Sequence, residues 1–403
     1  VWLTTLAAAA AVAVSVTIAA AQARTAPAPT TVPRAQAAFD ALHVFYQGGV
    51  KDNGIVGSRL AIVRGGREIF AQSVGMADIA REQPVDADTI FHWASITKTF
   101  TAIGIMQLRD RGLLKLDDPV VNYVPELRLV HDPFGDISRI TIRHLMTHSA
   151  GFRNATWPWG GDKPWHPFEP TEWSQLVAMS PYTEVEFEPG SRYSYSNPGI
   201  IFLGRIIERL TGDPYQAYID KNIFKPLEMY GSYFDATPYH LLPHRSASYF
   251  VENGQPRPAP FDFNTGITVS NGGLNAPIGD MEKYLAFLIG DEQRRAVYDG
   301  VLKRASLEEM FAPQLPVATE GRDQTSIGLN FFVEDREGFH LIGHSGGQNG
   351  FISHFYICPA LRAGYIVAFN TQTLPTASDG EDKTRVFDAA LRTFLLKTVF
   401  PAL

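Results

Sequence analysis

Apolar residues recur at helical spacing from Ala35 to about Gln47, which predicts an opening helix. Two strand-like runs come next, GSRLAIVR at 57–64 and REIFAQSVG at 67–75, and the Gly65-Gly66 pair between them predicts a hairpin. A second helix is predicted from near Ser95 through ITKTFTAIGIMQLRDR to a stop at Gly112. It is apolar nearly all round, as a core helix is. From 115 to 300 the pattern is mostly helix and loop, with many Pro, Trp and Tyr residues. After about 326 strand-like runs return (IGLNFFVE, FHLIGHS, FISHFYIC, GYIVAFN), and a last helix covers roughly 382–398. Strands at both ends with helices between them predict an α/β (α+β) fold: an antiparallel sheet flanked by helices and completed by the N- and C-terminal segments, with an inserted, mostly helical domain. The expected limits are a single module over 35–398, its sheet part at about 35–114 and 301–398 and its helical insertion at about 115–300.

Composition narrows the function classes. Residues 1–23 carry no charge and end in Ala21-Gln22-Ala23, the pattern of a cleaved export signal, and 24–34 read as a Pro/Ala-rich linker. An uncleaved anchor and a buried helix are the other readings of that run. With 35 basic and 42 acidic side chains, the net charge of −7 leaves no basic stripe for nucleic acid. A charged fraction of 19% and 12% aromatic residues argue against disorder and coiled coil. The single cysteine, Cys358, excludes an intrachain disulfide, a cysteine-ligated metal site and a redox pair.

Ser95-Ile96-Thr97-Lys98 is the first candidate for chemistry. A serine hydroxyl is a weak nucleophile that needs a base in reach, and residues i and i+3 of a helix share a face. The Ser95 position at a helix start also favours developing negative charge. Capping by Ser95 and a solvated Lys98 are the alternative, but the apolar helix around Lys98 predicts burial that disfavours its ammonium form. Tyr195-Ser196-Asn197 precedes a second buried helix. Asn197-Pro198 reads as its cap and first residue, and Tyr195 can shuttle a proton if a neighbouring cation lowers its pKa.

Gly343-His344-Ser345-Gly346-Gly347 fits the nucleophile elbow of α/β-hydrolases. Those enzymes need Ser, then an acid, then His along the chain; only His354 comes after Ser345, with no acid between, so that triad cannot be assembled. His144 and His148 have an i, i+4 spacing that can bind zinc, but the glutamate of the H-E-x-x-H motif is missing, and packing or capping is the expected role. No nucleotide-binding signature is present, and no cofactor is implied.

In this order the motifs resemble the serine β-lactamase and penicillin-recognising family, best its class C β-lactamase-like branch with DD-peptidase, D-aminopeptidase and esterase relatives. TIFHWASITKTFTAIGIMQL, LDDPVVNYVPEL, ITIRHLMTHSAGF, FEPGSRYSYSNPGI and SNGGLNAPIGDMEKYLAF carry the similarity, over about 36–395. The resemblance implies a β-lactamase/transpeptidase-like fold and acyl transfer to Ser95, with Lys98 and Tyr195 moving the proton. It also implies an oxyanion hole from the backbone N–H groups of Ser95 and Gly347, and substrate contacts from Asn197, His344, Ser345 and Gly346. His344 stands where many members have lysine, and an unperturbed histidine changes charge between pH 5 and 8. The expected partner is a small-molecule or peptide ester or amide, with specificity in loops such as 152–170. A β-lactamase and a non-catalytic penicillin-recognising sensor are the alternatives.

Overall fold

The runs LAIV, FISHFYIC and YIVAF show no alternation of apolar and polar residues because the sheet they form is covered on both faces. The computed structural model describes residues 33–155, 170–259, 265–321, 323–374 and 381–403. The export-signal run, most of the linker and most of the 152–170 loop lie outside the described residues. The main sheet has nine antiparallel strands: β1 (Gly57–Arg64), β2 (Arg67–Asp78), β3 (Gln83–Pro84), β4 (Leu315–Glu320), β5 (Asp323–Ile327), β6 (Phe332–Arg336), β7 (Phe339–Gln348), β8 (Phe351–Cys358) and β9 (Ala363–Phe369). Their order is β3-β2-β1-β9-β8-β7-β6-β5-β4. The two ends of the chain meet at its centre, where Leu60 faces Val367 across β1 and β9.

Successive residues of these strands go to opposite cores. Leu60, Ile62, Val367 and Phe369 pack with α1 (Pro33–Asp52) and the C-terminal helix Lys383–Phe394, while Ala61, Val63, Ile366 and Ala368 pack with the central helices. Those helices are α2 (Thr97–Asp110), α3 (Ile142–Met146), α4 (Asn197–Thr211), the short α5 (Val269–Gly272) and α6 (Ile278–Ile289); the C-terminal helix is α7. The segment between the two halves of the sheet is mainly helical, with short strands. One of these, Leu274–Pro277, pairs with Ile90–His92 and so fixes the chain just before Ser95.

Three elements differ from the sequence pattern, each through packing. IGLNFFVE is two strands, because the chain turns at Gly328–Phe331. Leu329 and Phe331 are apolar there because they are fully buried. The edge strand β4 is largely exposed and is not expected from the sequence pattern. Helix α1 runs on through Gly48-Gly49 to Asp52. Gly49 lets it close on α7: a Cβ there would lie 1.9 Å from the Phe387 ring. Phe45, Tyr46 and Phe369 surround that ring, so it has nowhere to move.

Gly49→Ala is therefore expected to cost about 1–3 kcal/mol by overpacking. Gly48→Ala, which meets nothing within 4 Å, should be neutral or slightly stabilising. Paired thermal melts decide the point; equal melting temperatures for the two variants would contradict this packing.

Candidate active site

Trp93 anchors the segment that carries Ser95. Its backbone N–H donates to the Leu274 carbonyl at 2.8 Å and its indole N–H to the Ala276 carbonyl at 2.9 Å. Ala94 then takes a left-handed φ of +47°, a strained conformation for a residue with a Cβ. The 3-10 turn Ala94–Ile96 leads directly into α2. No side chain caps this helix start, so the Ser95 hydroxyl is not used as a cap. Ser95 stays partly exposed, while Lys98, one turn on, is fully buried.

Lys98 Nζ lies 3.0 Å from Ser95 Oγ and 2.7 Å from the Asn271 carbonyl on α5. It also sits 5.0 Å from the centre of the Tyr195 ring. Among the described residues no carboxylate pairs with it, and burial pushes its pKa well below the usual 10.5. A neutral amine has two N–H donors and one lone pair. With one N–H given to Asn271, the lone pair is available to the Ser95 hydroxyl. Sequence reasoning missed Asn271, although it lies in the SNGGLN run.

Tyr195 precedes α4, and here the cap differs from expectation. Ser196 caps the helix, its Oγ accepting from the Gly199 N–H at 3.2 Å, so Asn197 and Pro198 are the first two helical residues. This frees the Asn197 side chain from capping; its amide N–H donates to Asn154 Oδ1 at 3.2 Å. Tyr195 stands close enough to the Ser95 side chain to interact with it. Burial raises its pKa above the usual 10, against the smaller opposing pull of the Ser95 side chain. The expectation that a cation would lower it does not hold, because the nearest candidate, Lys98, is itself held neutral. The phenol keeps its proton.

Strand β7 forms the third wall. Gly346 sits so close to the Ser95 segment that a Cβ would lie 2.2 Å from the Trp93 carbonyl oxygen. A Cβ on Gly347 would lie 2.9 Å from a terminal nitrogen of Arg385 on α7, so the chain's own side chain occupies that space. His344 points inward and is 1% exposed. Its Nδ1–H donates to the Ser345 carbonyl at 2.7 Å, and its ring tilts against Phe332 at 5.2 Å. Burial first, then the nearby Lys98, pushes its pKa down to about 3. The expected charge change between pH 5 and 8 is thus absent; His344 is a neutral ring there.

Ser345 lies inside the continuous strand β7 and not at a strand-to-helix turn, so the elbow geometry is missing. It faces His354 across the strand pair, and His354 Nδ1 lies 2.9 Å from Asp388, yet His354 Nε2 makes no hydrogen bond to Ser345. His144 shares a capping box with Thr141. Buried His148 stacks on Tyr195 with ring centres 4.4 Å apart, a role beyond the packing expected of it. Among the described residues no group of three or more His, Cys, Asp or Glu is placed to hold a metal ion.

A family model described as Beta-lactamase matches residues 42–391. Protein flp of Staphylococcus aureus is 25% identical over 322 residues, covering 78% of this chain and 60% of that protein. Esterase EstB of Burkholderia gladioli is 29% identical over 235 residues, 54% of this chain and 55% of that one. The chain thus spans 55–60% of the length of these curated relatives. The octameric penicillin-binding protein homologue from Pyrococcus abyssi superposes with a TM-score of 0.73 at 28% identity, covering 90% of this chain and 79% of that one. With the family match spanning most of its length, and with the architecture of that solved relative, this chain belongs to the Beta-lactamase family.

Proposed function

We propose that this protein is a serine hydrolase that cleaves an ester or amide of a small molecule or peptide through an acyl-enzyme on Ser95. The observation that carries the reading is the buried Lys98 amine, with no carboxylate partner among the described residues, 3.0 Å from Ser95 Oγ. A base whose pKa is lowered by desolvation is poised to take a proton from a hydroxyl that cannot ionise alone.

In this mechanism Ser95 Oγ bonds to the substrate carbonyl carbon as its proton passes to Lys98 Nζ. The new ammonium keeps its hydrogen bond to the Asn271 carbonyl. Tyr195, beside Ser95, completes the path that returns the proton to the departing alcohol or amine. A water molecule then attacks the acyl carbon, gives its proton to the same pair, and Ser95 is restored. The backbone N–H groups of Ser95 and Gly347 stabilise the oxyanion. Asn197, Ser345 and Gly346 position the substrate, and His344 lines the strand as a neutral ring.

Two neutralised bases at the site favour an uncharged acyl group, in keeping with the relative named as an esterase. A carboxylate-bearing β-lactam or D-peptide is the second reading, favoured by the Arg385 guanidinium beside Gly347. Export through residues 1–23 belongs to the same proposal and rests on their composition. Among the described residues no helix is long and apolar enough to cross a membrane.

A fluorophosphonate probe with peptide mapping should place the adduct on Ser95, with none in Ser95→Ala. A short-chain p-nitrophenyl ester should be turned over, with nitrocefin and a D-Ala-D-Ala peptide run alongside. An adduct on Ser345 would overturn the assignment, and an acyl-Ser95 that never releases product would mark a sensor instead of a hydrolase.

With a pKa of about 3, His344 gains a proton only well below neutrality. Between pH 5 and 8, KM for a carboxylate-bearing substrate should therefore keep the same pH profile as KM for a neutral ester. A selective rise of KM for the acidic substrate across that window would show a titrating His344.

A further inference from the structure

Behind the reacting groups lies a set of buried side chains that take no part in the proposed proton transfers: His148, Asn330 and the inner nitrogen of His344. His148 is 1% exposed and holds a left-handed φ of +52°, and Asn330 is 0% exposed with φ +64°. Left-handed backbone at two buried polar residues marks what each one holds.

His148 grips the tyrosine loop at three points. Its backbone carbonyl accepts from the Ser194 N–H at 2.7 Å, and its Nδ1 accepts from the Ser196 N–H at 3.1 Å. The amides on both sides of Tyr195 are therefore bound to one residue. The His148 ring itself stacks on the Tyr195 ring, 4.4 Å away and 28° from parallel.

The hydrogen bonds also fix where each ring carries its proton. A neutral imidazole has one N–H and one lone pair. His148 Nδ1 is an acceptor, so its proton sits on Nε2. His344 Nδ1 donates to the Ser345 carbonyl, so its Nε2 holds the lone pair. Burial keeps both rings uncharged. One ring thus offers a buried donor and the other a buried acceptor. Asn330, whose amide supplies one of each, stands close enough to His148 to bias its proton affinity. None of the four inner atoms, His148 Nε2, His344 Nε2 and the Asn330 Oδ1 and Nδ2, closes a bond of good geometry with any other group. Buried polar atoms rarely stay unpaired, and a single bridging water commonly completes such a set.

Building on the proposed function, we propose that His148 is the positioning residue for Tyr195, and that it joins Tyr195 to the substrate-facing strand through a neutral chain. The chain runs from the Ser196 N–H to His148, then Asn330, then His344 and finally the Ser345 carbonyl, closed directly or through one water. It ties the loop that carries Tyr195 to the strand that carries the substrate contacts, so the phenol and the strand edge keep one spacing across Ser95. His148 touches neither substrate nor the reacting atoms; it acts through Tyr195.

The test has two independent arms on the full chain. In the first, long-range proton–nitrogen spectra of histidine-labelled protein at neutral pH report each ring's tautomer, with assignments from His148→Asn and His344→Asn. His148 should carry its proton on Nε2 and His344 on Nδ1; the same tautomer in both rings would overturn the chain. In the second arm, His148→Leu should lower kcat by ~10²-fold, the scale of a small misplacement of a catalytic group, with KM changed far less. His148→Asn puts an acceptor where Nδ1 stood and tolerates a left-handed backbone, so it should recover much of that kcat. Unchanged kcat in His148→Leu, or a loss confined to KM, would overturn the positioning role. If His148→Leu fails to fold, a kcat in His148→Asn that stays ~10²-fold down despite a wild-type melting temperature overturns the grip on Ser196. Fluorophosphonate labelling of wild-type Ser95 is read in parallel: its failure counts against the hydrolase mechanism, while the tautomers still judge the chain.

Discussion

A lysine amine fully buried beside a serine hydroxyl, with no carboxylate at hand among the described residues, is the constraint that organises this molecule. Burying an ammonium ion without a counter-charge is costly enough that the group gives up its proton instead. The consequence is chemical: a neutral Lys98 can accept a proton from Ser95, whereas a charged one could only hold the serine still. Burial also shapes the neighbours. His344 and His148 are both kept neutral by their own burial. Tyr195 is held as a phenol for the same reason. Lys98, His344, His148 and Tyr195 form a cluster of uncharged polar groups around Ser95.

The fold delivers these groups from distant parts of the chain. Pairing of β1 with β9 brings the two ends together and puts β7 two strands from β9, within reach of α2. The close approach of β7 is possible because Gly346 has no side chain to strike the Trp93 carbonyl. Pairing of Ile90–His92 with Leu274–Pro277 then sets Ser95 opposite Asn271, whose carbonyl holds Lys98. The helical region supplies Tyr195 from the start of α4. Three walls meet at Ser95, and each is placed by backbone pairing or by an enclosed aromatic ring.

What the sequence discloses depends on the range of the interaction. Ser95 and Lys98 are legible because i, i+3 proximity is local helix geometry. The β1–β2 hairpin and α2 are legible for the same reason. The helix cap lies one residue from its expected place, because Ser196 and Asn197 are both good caps and only the loop's path decides between them. IGLNFFVE reads as one strand because buried turn residues are as apolar as strand residues. The protonation states of Tyr195 and His344 escape sequence reasoning because desolvation is set by the whole surrounding fold. His148 is invisible there as a partner of Tyr195, since 47 residues separate them and the contact exists only once the chain has folded.

The claim on which everything rests is that Lys98 is a neutral base. Lysine labelled with ¹³C at Cε and ¹⁵N at Nζ, with Lys98→Met for assignment, reports its protonation directly as pH is raised. A neutral base predicts one lysine resonance that is already deprotonated at neutral pH, far below the usual 10.5, and that is missing from the spectrum of Lys98→Met. A Lys98 signal that titrates with the surface lysines near 10.5 would contradict it.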